Sequence, residues 1–373
     1  MFQTILLALL PLLPTFDKGP YLQNVAGTYA TIVWQSSEGG AAIVTARPVT
    51  GGGAAMQIAV NGPAATGMYE VVLAGLRPDT AYRYDVTQHR ERREGRFVTA
   101  APPGRPFTAV IYGDNRSDHA AHNAVAQAIL KEGPDFIVHT GDLVVHGNDE
   151  GEWDLFFRVA GPLLRGRPIF PVAGNHEASG DPRIEQFRRY FSLPAENDEF
   201  YYGFSWGGVR FLSIDVNVNS AGGQPNERQA AWLTAEVKAA EVDPTITHTV
   251  AFLHQGPYST NPNRRGNLGV RQLAEVLRGL GLDLLVSGHD HYYERGVTDY
   301  GMPYMVVGSG GAPLYPTTGP GRYPGFRALV SRSVHAFVRL RSNGRALTSC
   351  ALDLDGVAFD CADIVGRAAG RGR

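Results

Sequence analysis

Two histidines, His289 and His291, directly follow a short apolar run that ends in Ser287-Gly288. The run from 282 to 286 predicts a buried strand, since only Asp283 interrupts it. If the backbone stays extended beyond the strand, both imidazoles leave the same face and can reach one cluster of metal ions. Taken alone, the pair fits a loop with two solvated histidines better than it fits a metal site.

Similar segments follow four other predicted strands. They are Gly113-Asp114-Asn115-Arg116, Gly141-Asp142, Gly174-Asn175-His176-Glu177 and His254. Any one of them is ordinary loop chemistry, but five strand ends in succession, with glycines that allow close backbone approach, indicate one shared site. Carboxylate, amide and imidazole ligands without a thiolate suit Mn, Fe, Zn or Co. Because there are more ligands than one tetrahedral ion needs, the set predicts two ions that activate a bridging hydroxide for displacement at phosphorus.

The elements that position these ligands alternate between strand and helix after Pro106. Strands are predicted at 107–112, 135–140, 167–172, 247–253 and 283–286, and helices at about 120–131 and 227–240. This alternation predicts an α/β layered domain, in which ligands bind beyond the carboxyl ends of the strands.

Residues 18–103 instead predict an all-β sandwich of short antiparallel strands separated by turns. Trp34 at a core position, and the string Leu76-x-Pro78-x-Thr80-x-Tyr82-x-Tyr84, resemble a fibronectin type III domain. The charged run 90–96 predicts an exposed hairpin rather than a polyanion site. A short Ala/Pro/Gly linker places the domain boundary between 103 and 104.

Composition narrows the class of protein. The chain has 373 residues, 43% of them hydrophobic, and a net charge of −2, which predicts a globular protein of two or more domains. Its scattered Lys and Arg argue against broad nucleic-acid binding. The apolar stretch 2–13 is too short to span a bilayer, so residues 1–17 are interpreted as a signal peptide of a secreted, periplasmic or cell-surface protein.

Two cysteines lie near the carboxyl end, at Cys350 and Cys361, on either side of the hairpin signal Asp355-Gly356. In an exported protein they would form a disulfide across the hairpin. Two reduced, buried cysteines are the alternative if the signal-peptide interpretation fails.

The order Gly-Asp-x-Arg, Gly-Asp-x₄-Gly, Gly-Asn-His-Glu, a lone His and Gly-His-Asp-His resembles that of the calcineurin-like metallophosphoesterases. Tyr293-Glu294-Arg295 after the last histidine, behind a fibronectin-like domain, resembles the purple acid phosphatase branch. The resemblance covers about 18–360. It implies an α/β fold in which a four-layer αββα sandwich at 104–365 follows the fibronectin III-like domain at 18–103.

The resemblance also implies roles for the motif residues. Asp114 and His291 would bind the first metal, Asp142 would bridge, and Asn175, His254 and His289 would bind the second. His176 would face the substrate, stabilising charge on the phosphoryl group or protonating the leaving alkoxide. Glu177 would orient the ligands rather than bind metal.

Two positions depart from the family pattern. Arginine stands at 116, where many members have histidine, and Val145 stands where purple acid phosphatases have tyrosine. The first metal therefore lacks its usual fourth protein ligand. The site could be weak or water-filled, one of His119, His122 and His146 could substitute, or Arg116 could act as a catalytic residue that grips the phosphate bidentately. We favour the last interpretation.

The main expectation is an exported phosphomonoesterase that uses a metal-bound hydroxide at a dinuclear site of Fe, Mn or Zn. Its substrate would be a small phosphate ester. A phosphodiesterase or nucleotidase of the same fold is the alternative, and a catalytically weak surface binding protein is the alternative from another class. Asn217, Asn219, Tyr258 and the loop 220–224 lie on connections that could rim the pocket. The aromatic residues of 201–206 are interpreted as sheet packing, and His139 as a core histidine.

Overall fold

The computed structural model describes residues 15–64, 66–194, 199–218 and 220–366. Its amino-terminal strands are β1 (Lys18–Gln23), β2 (Tyr29–Gln35), β3 (Ala42–Pro48), β4 (Met56–Val60), β5 (Met68–Ala74), β6 (Ala81–Gln88) and β7 (Glu91–Val98). The following strands are β8 (Phe107–Tyr112), β9 (Phe136–His139), β10 (Ile169–Pro171), β11 (Tyr202–Trp206), β12 (Val209–Ser213), β13 (Ser220–Ala221), β14 (Gln224–Pro225), β15 (His248–Gln255), β16 (Leu284–Gly288), β17 (Tyr293–Thr298), β18 (Pro303–Val307), β19 (Gly321–Tyr323), β20 (Phe326–Arg332), β21 (Phe337–Ser342), β22 (Leu347–Leu352) and β23 (Ala358–Ile364). The helices are α1 (His119–Glu132), α2 (Glu150–Leu164), α3 (Glu185–Tyr190), α4 (Glu227–Val242) and α5 (Leu268–Leu280).

The first seven strands form an antiparallel β-sandwich, as expected of a fibronectin-like domain. One sheet has the order β1-β2-β5 and the other β4-β3-β6-β7. Trp34 is fully buried, stacks on Tyr69 with ring centroids 4.7 Å apart, and donates its indole N–H to Gln88. The charged run lies on the β6–β7 hairpin, where Arg92 pairs with Asp85, so its interpretation as a hairpin is confirmed.

Two sheets form the centre of the remaining chain. Their orders are β10-β9-β8-β21-β22-β23 and β11-β12-β15-β16-β18-β17-β20-β19. Phe252 of β15 belongs to the core that contains the six-stranded sheet and α1, whereas the next residue, Leu253, belongs to a second core with α4 and α5. Helices thus cover the outer faces of two packed sheets, which is the predicted αββα arrangement.

The parallel strands bring the motif residues to one edge. Strands β8, β9 and β10 run parallel in the first sheet, as do β12, β15 and β16 in the second. Parallel neighbours place their carboxyl ends together, so the segments that follow them meet at one edge of both sheets. Strand β8 has the predicted bounds, and α1 and α4 extend the predicted helices by one or two residues at their ends.

The amino-terminal sandwich contacts α2 and the segment after it. The ammonium group of Lys18, whose side chain is only 2% exposed, lies 2.8 Å from Glu150 and 2.6 Å from Asp154 of α2. The hydroxyl of Tyr21 donates to the carbonyl of Tyr190. A buried ammonium needs such partners, because an unpaired buried charge is costly. The domain boundary at 103/104 remains a prediction.

At the carboxyl end Cys350 and Cys361 face each other across β22 and β23 and form a disulfide. Of the interpreted signal peptide, residues 1–14 lie outside the described part, while Phe16 is buried beneath the guanidinium of Arg93. Within the described ranges, we find no helix that combines the length and the apolar character needed to cross a membrane.

Candidate metal centre

Three of the motif residues sit in left-handed backbone conformations. The φ angles of Asp114, Asp142 and His289 are 55°, 57° and 69°. Such conformations cost about 1–3 kcal/mol each in non-glycine residues and persist where the surroundings impose them. The turns are crowded as well, because a Cβ on Gly174 would lie 2.2 Å from a carboxylate oxygen of Asp142. The sequence therefore holds these side chains in a geometry that loop chemistry alone does not favour.

Four possible metal-ligand atoms converge at the expected second metal position. The Nε2 atom of His254 lies 3.0 Å from Oδ1 of Asn175, 3.2 Å from Oδ1 of Asp142 and 3.1 Å from Nδ1 of His289. The Nδ1 atom of His254 must donate to the carbonyl of Thr140, which leaves a lone pair on Nε2. Lone pairs of Asn175, Asp142 and His254 thus meet, and a cation between these side chains would stabilise the arrangement. The residues fit a metal ion.

The expected first position is built differently. One donor atom each from Asp114, Asp142 and His291 lies within 4.8 Å of the others, and His291 presents Nε2 because its Nδ1 donates to the carbonyl of Pro313. Here Arg116 supplies a positive charge: its Nε lies 3.2 Å from Oδ2 of Asp142, and a terminal nitrogen lies 3.4 Å from Nε2 of His291. The two ligand groups share Asp142, which is the layout of a dinuclear site.

Burial sets the ionisation of these groups. It raises the pKa of Asp114, with Asp142 nearby adding to the effect. Burial also acts to raise the pKa of Asp142, but His254, His176 and Arg116 hold that pKa below its usual range. Burial lowers the pKa of His254, lowers that of His289 further, and lowers the pKa of His291 to about 4. Neutral imidazoles are the form that metals bind.

Glu177 organises the loop that carries Asp142. One carboxylate oxygen accepts the backbone N–H groups of Leu143 and Val144, and the other accepts those of Asp142 and Gly174. Burial and the neighbouring Asp142 raise the pKa of Glu177 to about 7, and the backbone donors oppose that rise. The orienting role expected of this side chain matches its contacts.

His176 lies at the edge of the donor cluster with 23% of its side chain exposed. Its Nδ1 donates to the carbonyl of Val145, and its Nε2 lies 3.8 Å from Oδ2 of Asp142. The ring therefore presents Nε2 near both ligand groups while remaining open to solvent, a position from which a proton can be exchanged with a bound molecule.

The three histidines considered as substitutes for the missing ligand belong to neither ligand group. His122 is fully buried, faces the ring of Phe156, and has a pKa that burial lowers to about 3. His146 contacts the hydroxyl of Ser179. Within the described ranges, Arg116 rather than one of these three histidines contacts the ligands of the first position.

The remaining aromatic and histidine residues singled out in the sequence lie mostly in the core. The residues Tyr202, Phe204 and Trp206 are buried in β11, and His139 is a core histidine that contacts Asn115, so both interpretations are confirmed. Tyr258 is buried and stacks on Phe326, in the core that also contains residues of α4 and α5. Its expected place at the pocket rim is therefore wrong. Asn219 lies outside the described residues.

Sequence reasoning missed Arg264 and Tyr315. The guanidinium of Arg264 contacts Nε2 of His289 and lies 2.5 Å from the carboxylate of Asp290. Tyr315 stacks on the ring of His291 with centroids 4.0 Å apart, and the guanidinium of Arg264 lies over the ring of Tyr315, 5.4 Å from its centroid. No local pattern distinguishes either residue, because only the tertiary fold brings them to the histidines.

Two small cavities adjoin the second ligand group. One, of about 250 Å³, is bordered by Asn175, Asn217 and the loop residues Ser220, Gly222 and Gly223. The other, of about 130 Å³, is bordered by His289, Asp290, Arg264 and Arg265. Gln255 and Asn267 line both. Asn217 and the glycine-rich loop thus border a cavity next to Asn175, and their role at the rim of a substrate pocket stays a prediction.

The family model described as calcineurin-like phosphoesterase matches residues 107–293, half of the chain. The protein therefore belongs to the calcineurin-like phosphoesterase family. Within that family it is similar to purple acid phosphatase 15 of Arabidopsis thaliana, with 25% identity over 295 residues that cover 65% of this chain and 53% of the relative.

An uncharacterized protein of Mycobacterium tuberculosis is 29% identical over 261 residues, which cover 60% of this chain and 49% of that protein. The chain thus spans about half the length of these curated relatives. The structure of purple acid phosphatase PPD1 from yellow lupin seeds matches with a TM-score of 0.77 at 19% identity, covering 93% of this chain and 74% of the other. This match shows the fold.

Proposed function

We propose that the protein is an exported phosphomonoesterase that requires metal ions at the site around Asp142. The observation that carries the proposal is the convergence of three side chains in a family of phosphoesterases: the Oδ1 atoms of Asn175 and Asp142 lie 3.0 and 3.2 Å from Nε2 of His254. Ions of Fe, Mn or Zn suit this donor set. A bound ion would polarise a phosphoryl oxygen and acidify a water molecule.

The two positions differ in how they would hold an ion. Asp142, Asn175, His254 and His289 would hold the second ion more firmly, because burial favours the neutral form of both imidazoles and no described guanidinium contacts Asn175 or His254. The first ion would bind more weakly to Asp114, Asp142 and His291, because the guanidinium of Arg116 competes for Asp142 and His291. When substrate binds, Arg116 would turn to the phosphoryl oxygens, which accept a bidentate fork well.

His176 would serve the leaving group. Its Nδ1–H is held by the carbonyl of Val145, so the proton to be donated is the second proton of the imidazolium form, carried on Nε2, the atom nearest the ligand cluster. Donation from Nε2 to the leaving alkoxide would complete the displacement. Arg264 and Tyr315 would fix the orientations of His289 and His291 through the contacts described above.

Steady-state rates on p-nitrophenyl phosphate and bis(p-nitrophenyl) phosphate test this assignment. A monoesterase hydrolyses the monoester with a kcat/KM at least tenfold above that of the diester. The opposite preference would assign the chain as a phosphodiesterase. Absence of hydrolysis of both esters, after incubation with Mn, Fe or Zn, would favour the alternative of a surface binding protein.

A further inference from the structure

Three side-chain amides form a continuous hydrogen-bonded chain beside the second ligand group. Asn217 donates from Nδ2 to the carbonyl of Ala173 at 2.9 Å, and its Oδ1 accepts from Nε2 of Gln255 at 3.0 Å. Gln255 in turn accepts from Nδ2 of Asn267 at 2.7 Å, and Oδ1 of Asn267 accepts the backbone N–H of Val270 at 3.2 Å. We call Asn217, Gln255 and Asn267 the amide relay.

The relay fixes which way each amide points. A side-chain amide offers two N–H donors and two acceptor lone pairs, and the contacts along the relay use one of each. The relay begins at the backbone carbonyl of Ala173 and ends at the backbone N–H of Val270. These two backbone groups fix which atom donates and which accepts in every hydrogen bond of the relay. Each amide therefore keeps one donor and one acceptor in a known orientation, without the rotational freedom of an exposed Asn or Gln.

All three relay residues border the 250 Å³ cavity that begins at Asn175. The other described residues that border it are small or uncharged, including Ser220, Gly222 and Gly223, and none is aromatic. Cavities that enclose drug-sized ligands measure about 300–1,000 Å³, so this one suits a smaller group. A nucleobase is normally held by stacking on aromatic rings, which the described lining of this cavity lacks.

We propose that this cavity is the subsite for the leaving group of the ester, and that it takes a polyhydroxylated group, a sugar or a polyol. Each hydroxyl both donates and accepts, as does each relay amide, so the two surfaces match in hydrogen-bonding type. The cavity adjoins Asn175 of the second ligand group, so a phosphoryl group at the metal centre would extend its alkoxide towards the relay. This inference rests on the proposed function, because a leaving group is defined only relative to the phosphoryl group.

The experiment compares myo-inositol 1-phosphate with cyclohexyl phosphate, which has the same ring without the other hydroxyls. The wild-type protein should prefer the inositol ester. Gln255→Met, which keeps the side-chain length but breaks two relay links, should lower the ratio of the two kcat/KM values about tenfold, the effect expected from loss of about one hydrogen bond. Gln57→Met, at an exposed position of β4, is the matched control.

The outcomes separate this inference from the proposed function. If the wild-type protein hydrolyses p-nitrophenyl phosphate but treats the two cyclic esters alike, or prefers adenosine 5′-monophosphate, the leaving-group subsite is wrong and the phosphatase assignment stands. An unchanged ratio in a folded Gln255→Met protein likewise overturns it. If no ester is hydrolysed, both proposals fail. The wild-type ratio decides the question even where the variant does not fold.

Discussion

Nε of Arg116 lies 3.2 Å from Oδ2 of Asp142, the carboxylate that both ligand groups share. Its side chain is only 14% exposed, and a terminal nitrogen of the same guanidinium lies 3.4 Å from Nε2 of His291. The arginine therefore contacts two donors of the first position from inside the site. At the second position the described contacts place a guanidinium, that of Arg264, on Nε2 of His289, whereas Nδ1 of the same ring lies 3.1 Å from Nε2 of His254. Among these contacts no guanidinium lies on Asn175 or His254, which makes the centre asymmetric.

Removing the guanidinium should strengthen the first position. In Arg116→Ala, Asp142 and His291 no longer have a competing cation, so we expect two ions per chain to survive gel filtration in metal-free buffer. The wild-type protein should retain one. Metal analysis by mass spectrometry measures this directly. Arg327→Ala, at an exposed position of β20, is the control and should behave like the wild type. Two ions retained by the wild-type protein would contradict the competition.

His176→Asn should affect substrates according to their leaving groups. Loss of a general acid costs about 10²–10⁴-fold in rate where the leaving group needs a proton. We therefore expect that loss in kcat for an alkyl phosphate and a much smaller one for p-nitrophenyl phosphate, whose phenolate leaves without protonation. Metal content should stay unchanged. An equal loss on both substrates would show that His176 acts on the phosphoryl group instead.

The buried histidines predict that the centre keeps its firmly bound ion in mild acid. Exposed histidines have a pKa of about 6.5 and would be protonated at pH 5. Burial lowers the pKa values of His254 and His289, the imidazole ligands of that ion, and lowers the pKa of His291 at the first position to about 4, which favours the neutral, metal-binding form in mild acid. Metal release should therefore begin well below the pH of about 6.5 at which exposed histidines titrate. Dialysis across pH 3–7 followed by metal analysis checks this, and release by pH 6 would contradict it.

Glu177→Gln should weaken metal binding indirectly, through the loop that carries Asp142. Each carboxylate oxygen of Glu177 accepts two backbone N–H groups, but one end of a glutamine amide is itself a donor and would oppose two of them. We expect about 10–100-fold weaker metal binding and a loss of about 1–3 kcal/mol in the free energy of unfolding. Glu275→Gln on the exposed face of α5 is the control. Unchanged metal affinity in Glu177→Gln would show that Glu177 does not position Asp142 for metal binding.

Much of this centre could be predicted from the sequence because its parts are local. Asp114 follows the apolar run of β8 directly, and His289 and His291 follow β16, so a buried strand and its polar end appear together in the sequence. The side chains that complete the site could not be predicted in this way. Arg264 and Tyr315 reach the histidines from distant loops, and the amide relay joins residues of three separate segments.

Three helices, α2, α3 and α5, also escaped prediction. Helix α2 contains Pro162 and two glycines, which lower intrinsic helix propensity, and its packing against the amino-terminal sandwich provides compensating contacts. Helix α5 begins at the Asn267 cap and buries Val270, Ala274 and Leu277 against the eight-stranded sheet. For Arg116, residue type predicted an electrostatic role, but only the fold shows that its guanidinium contacts Asp142 and His291.

The most direct test of the central claim is hydrolysis of p-nitrophenyl phosphate before and after metal removal. We expect the purified protein to lose at least about 90% of its activity after dialysis against a chelator, and to regain it on addition of Mn, Fe or Zn. Asp142→Asn, which alters the carboxylate shared by both ligand groups, should not regain activity. Hydrolysis that continues unchanged in protein shown to contain no metal would contradict the account.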